Sequence, residues 1–156
     1  PLRRWEWLLA QTIVNTVVIG IAAMLLLGLL FGATDASVRV SAELALVVPF
    51  VAVGVGLFCA VGSLLGSLVD SQDGVIAASN GLAIPLVFLS EAFVPRDLLP
   101  AWLPLELSPL TYFTSGVRAV TYTDASLGTP LLDLAVLASF AVVAFLLAAL
   151  LLPQTD

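Results

Sequence analysis

The sequence predicts an all-α integral membrane protein with four transmembrane helices and a short re-entrant or extracytoplasmic helical hairpin between the third and fourth. Composition and mean hydropathy carry that prediction. Hydrophobic residues make up 61% of the 156 residues and charged residues only 10%, and the mean hydropathy is +1.16, far from the balance of a water-soluble domain. The third observation is local. Several apolar runs reach the roughly 20 residues that a helix needs to cross a hydrocarbon core of about 30 Å.

The composition also excludes chemistry. The chain carries five Arg, no Lys, no His, 11 acidic residues and one Cys. A disulfide within one copy and a His-based catalytic centre are therefore impossible, no metal cluster is expected, and no Lys is present to complete a G-x-x-x-x-G-K-[ST] phosphate loop. The net charge of −6 disfavours nucleic acid, whose phosphates need a basic surface. An acidic, Lys-free composition fits either a high-salt organism or GC-rich coding. The sequence starts at Pro1 with no signal-peptide pattern, and an upstream part is expected.

The first span is expected over 7–31. Trp5 and Trp7 suit the headgroup layer, and Arg3 and Arg4 suit the adjoining aqueous face. Gln11, Thr12, Asn15 and Thr16 recur at helical spacing on one side and are read as facing other helices, where amides and hydroxyls find partners. After a connecting loop over 32–42, the second span covers 44–69. Its far half carries Gly62, Ser63, Gly66 and Ser67 beside Cys59, a small-residue face that lets another helix backbone approach closely. Packing within one subunit is favoured over a dimer seam.

Asp70-Ser71-Gln72-Asp73-Gly74 forms a polar turn, and the third span follows over 75–93, interrupted by Pro85. Proline removes a helical hydrogen bond and kinks the helix unless neighbours compensate. Asn80, in the same helix, is read as an interhelical hydrogen-bond partner ahead of a ligand contact. Glu91 falls about 25 Å along the helix from Gly74 at about 1.5 Å per residue, near an interface where a carboxylate costs far less than at mid-membrane. The hairpin covers 98–122, and Pro100, Pro104 and Pro109 divide it into two short helices, each too short to cross. Arg118 either pairs with Glu91 or Glu106 or snorkels to headgroups. The fourth span covers 131–152. An even number of spans puts both ends on one side, but Arg3 and Arg4 oppose Arg39, Arg96 and Arg118, so the positive-inside rule leaves the orientation open.

The motif set Asn80, Pro85, Phe88-Leu89-Ser90-Glu91-Ala92-Phe93-Val94-Pro95, Leu99-Pro100-Ala101-Trp102-Leu103, Ser108-Pro109-Leu110-Thr111-Tyr112 and Arg118 resembles the membrane subunit of a type-2 ABC exporter. That family shows a proline-broken span, a Leu-Ser-Gly-like exit to Pro, a Leu-Pro-x-Trp-Leu element, an Asn-Pro-Leu-Thr-Tyr element and an Arg. This chain departs at Glu91, where Gly is usual, and at Ser108, where Asn is usual.

The resemblance implies that the chain supplies the third to sixth of six spans of a multi-pass plasma-membrane permease, with its hairpin extracytoplasmic. Arg3, Arg4 and Trp5 would then follow the segment that couples to an ATPase. Asn80, Pro85, Ser90, Glu91, Pro95, Pro109 and Arg118 become candidates for a substrate pathway or gate. ATP and Mg are expected in a partner ATPase, with no cofactor in this chain, and a second permease copy is the other partner. The chain is expected to be a transport subunit and not an enzyme. Two alternatives belong to other classes: an ion-coupled secondary carrier using Glu91 and Asn80, and a non-transporting membrane assembly protein.

Overall fold

A computed structural model describes residues 4–33, 42–94, 96–100, 102, 104–122 and 127–151. Every long element among them is helical: α1 (Arg4–Ala33), α2 (Val47–Leu68), α3 (Gln72–Leu89), α4 (Pro109–Tyr122) and α5 (Gly128–Leu151). Helices α1, α2, α3 and α5 are each long and apolar enough to cross a membrane, and no strand occurs among the described residues. The all-α, four-span prediction therefore holds.

The helix ends follow from local chemistry. A 3-10 turn over Ala42–Leu46 leads into α2, whose first turn tolerates Pro49 because the early N–H groups of a helix lack intrahelical partners. The Val69 N–H closes α2 on the Leu65 carbonyl at 3.1 Å. Ser71 is then the N-cap of α3, its Oγ accepting from the Gly74 N–H at 3.1 Å. The expected polar turn is thus shorter than 70–74. Gln72, Asp73 and Gly74 already belong to α3, and Asp73 places a negative charge in the first turn, where the helix dipole favours it.

Helix α3 continues through Pro85 to Leu89. The proline forgoes the hydrogen bond to the Gly81 carbonyl one turn earlier, and α3 buries none of its residues. Beyond it, the described residues of the hairpin region hold one α-helix where two are expected. Its first limb consists of separate 3-10 turns at Arg96–Leu98 and Leu105–Leu107. Pro100 and Pro104 fit this, since proline lacks an N–H donor and disfavours the α region for a residue that precedes it. Pro109, by contrast, opens α4, the position where a fixed φ and a missing N–H cost nothing.

The core lies between α2, α4 and α5. Phe50, Leu57 and Ala60 of α2 meet Leu137, Ala144 and Ala148 of α5, with Phe113 and Val117 of α4 packed against them. Ala60 and Ala148 are fully buried. Small side chains one turn apart let two backbones approach, and close packing drives association where lipid is as apolar as the protein. Phe50 and Phe113 meet edge to face at 6.4 Å between centroids, a favoured aromatic geometry. The Phe50 ring sits directly over Gly116, where a Cβ would collide with it. Helix α1 joins through α2, with the Asn15 amide donating to Cys59 Sγ at 3.2 Å.

Candidate functional site

Two features stand out: a groove between α1 and α2, and a hydrogen-bonded junction where the chain leaves α3.

The groove has a volume of about 1210 Å³. Trp7, Gln11, Asn15, Ile19 and Ala23 of α1 form one wall, α2 the other, and Leu110 and Phe113 of α4 reach in. On α2 the lining includes Cys59, Gly62, Ser63, Gly66 and Ser67, the small-residue face singled out in the sequence. A Cβ placed on Gly62 or Gly66 would meet nothing within 4 Å, so among the described residues this face is open. Ser63 and Ser67 turn their hydroxyls back onto their own helix, donating to the Cys59 and Leu64 carbonyls at 2.8 Å each. That satisfies them without a partner helix. Close approach occurs instead at Gly54, where an added Cβ would lie 3.2 Å from the Phe113 ring, and at Gly56, where it would lie 3.3 Å from the Thr12 methyl.

The junction is built from helix-end chemistry. The last four carbonyls of a helix lack intrahelical partners, and one left unpaired in apolar surroundings costs about 1–3 kcal/mol. Here hydroxyls supply the donors. Ser90 Oγ donates to the Val87 carbonyl at 2.7 Å, Ser108 Oγ to Leu86 at 3.3 Å, and Thr111 Oγ1 lies 3.1 Å from Leu89 and 2.7 Å from the Leu105 carbonyl. Thr114 Oγ1 bonds to the Ser90 carbonyl at 2.5 Å. Arg118 Nη2 donates to the Glu91 carbonyl at 3.3 Å. Residue numbers rise together on both sides, so the chain leaving α3 runs along α4 in the same direction.

Burial supports the same reading. Ser90 and Ser108 are 0% and 1% exposed, and a buried hydroxyl is stable only when bonded. Glu91, half-buried, has φ 59°. This left-handed conformation is the usual helix-terminating geometry and favours Gly, which accounts physically for the Gly usual at this position in the resembling family.

The structure brings Ser90, Glu91, Pro109 and Arg118 together at the junction. Asn80 and Pro85 stand apart, exposed on α3. Arg4 and Trp5 begin α1, while Arg3 and Pro95 lie outside the described residues. Among the described residues no three His, Cys, Asp or Glu side chains stand close enough to hold a metal ion.

Sequence reasoning missed three things. Ser108 and Thr111 appear in it as motif letters without a role, and Thr114 not at all, although Ser and Thr beside a helix end are standard donors. Asp133 was passed over as well. It lies 7% exposed on the α5 stripe of Pro130, Asp133, Leu137, Ala144 and Ala148, with Oδ2 buried and unbonded. Its signal is its being an acid inside the apolar run 131–152. The third is the Ala144–Ala148 packing face.

Comparison with curated proteins finds no match, and comparison with solved structures finds none either. A family model described as "ABC-2 type transporter" matches residues 1–122, a stretch that holds α1 to α4, the open groove and the whole junction. The chain belongs to the ABC-2 type transporter family and is a transmembrane permease component of such a transporter.

Proposed function

We propose that this chain is the membrane-spanning permease of an ATP-driven exporter in the plasma membrane, forming a translocation pathway with a second permease copy and powered by a separate ATPase that binds ATP and Mg. The family match carries the reading. Two structural features support it. Helix α3 spans without burying a residue, and the small-residue face of α2 is open along the groove; both are surfaces suited to further helices. Asn80 and Pro85 on α3, with Ser90, Glu91, Pro95, Pro109 and Arg118 at its end, would border the pathway or its gate. Arg3, Arg4 and Trp5 would lie on the ATPase-coupling side.

No observation favours an ion-coupled carrier using Glu91 and Asn80. They are 11 positions apart, about 16 Å along the chain's rise at helical spacing.

The test is affinity capture of the full-length parent protein from its native membrane, with identification of what accompanies it. Recovery of a Walker-containing ATPase and of a second permease copy is the expected result. Recovery of the protein alone, under conditions that preserve known membrane complexes, overturns the proposal.

A further inference from the structure

We propose that Ser108, Thr111 and Thr114 are positioning residues that bind the C-terminal end of α3 to α4, so that the spanning helix and the hairpin helix move as one body. The role in transport rests on the permease reading above; the mechanical unit does not.

Three observations converge. Helix α3 buries no residue over its length, yet Ser90, the first residue beyond it, is completely buried. The firm attachment of α3 is therefore at this end. Second, the attachment is polar and directional. Hydroxyls from the 105–118 segment reach the carbonyls of Leu86, Leu89 and Ser90, and apolar contacts that slide freely are replaced by bonds that weaken steeply when misaligned. A hydroxyl has one proton to give, and two of these have an alternative acceptor. Thr111 sits nearest the Leu105 carbonyl, and Thr114 also lies 2.9 Å from the Leu110 carbonyl of its own helix. Thr111 and Thr114 thus stay satisfied while each lies within reach of a carbonyl on both sides of the junction, which holds the two segments together without an unpaired donor.

Third, the backbone is held against its preference. Glu91 keeps φ 59°, and the Arg118 guanidinium grips its carbonyl. A left-handed non-glycine residue persists where its surroundings over-determine it. Pro85, lying inside α3 before this end, frees one helical bond and supplies a bend point between the clamped end and the rest of the helix.

The experiment uses the full-length protein in lipid nanodiscs, with Cys59→Ser and spin labels on two exposed residues, Phe88 of α3 and Ser115 of α4. A single narrow distance is expected. Thr111→Val with Thr114→Val, which keeps the side-chain shape and removes the donors, should broaden it. Thr111→Ser with Thr114→Ser should restore it, and Thr114→Val alone serves if the double variant does not fold. A broad distribution in the parent, or no change in the Val variants, overturns the proposal. In the complex with its ATPase, the distance should stay constant on trapping with ATP, and separation of the labels would also overturn it. If no ATPase is found, the permease reading fails while the nanodisc measurement still decides whether α3 and α4 are held as one body.

Discussion

Gly116→Ala tests the packing of the core directly. In an exposed helix this change stabilises by about 1 kcal/mol, because Ala loses less backbone entropy. Here the new methyl would occupy space held by the Phe50 ring, whose Cζ, Cε1 and Cε2 are the three nearest atoms. That ring is fully buried and is hemmed in by Phe113 and the α5 side of the core. It must be displaced, or α4 must move off α2. Complete loss of a buried Phe costs about 3–5 kcal/mol and overpacking costs about 1–3 kcal/mol. Against the propensity gain, a net destabilisation of about 2 kcal/mol is expected. Unfolding in mixed micelles, followed by circular dichroism, reads it. The control is Phe50→Leu, in which the methyl has room: Gly116→Ala should then be neutral or stabilising, giving a coupling of about 2 kcal/mol in the double-mutant cycle. Equal effects in the two backgrounds would refute the contact.

Three further changes are predicted. Glu91→Gly relieves a left-handed backbone costing about 1–2 kcal/mol, offset by about 0.5–1 kcal/mol of added unfolded-state freedom; unfolding should show a small gain, and a loss would show that the Glu91 side chain outweighs its strain. Ser71→Ala removes the α3 N-cap and should cost about 1 kcal/mol, with hydrogen exchange rising at the Gly74 amide and not in α5. Asp133→Val removes a buried acceptor that has no partner and should raise stability by about 1–2 kcal/mol; a loss on unfolding would mean that the carboxylate is satisfied in the assembled protein.

The number of helices able to span was legible because apolar length is a sum over neighbouring residues, and it needs no knowledge of what packs where. Helix boundaries were less legible: Ser71 caps α3 inside the turn expected over 70–74, and Pro100 and Pro104 act together in the first limb of the hairpin, where the described residues form 3-10 turns. The family was legible from the spacing of motifs on either side of the junction, yet not why those motifs exist. Hydroxyls at 108, 111 and 114 cap carbonyls more than twenty positions earlier, and only folding brings them within reach.

Helix partners were decided by tertiary structure alone. In water a helix announces its buried face by amphipathic pattern. In a bilayer the lipid-facing side is as apolar as the packed side, so Gly62-x-x-x-Gly66 and Ala144-x-x-x-Ala148 look alike as seams. The fold closes α5 onto α2 through the second and leaves the first open along the groove.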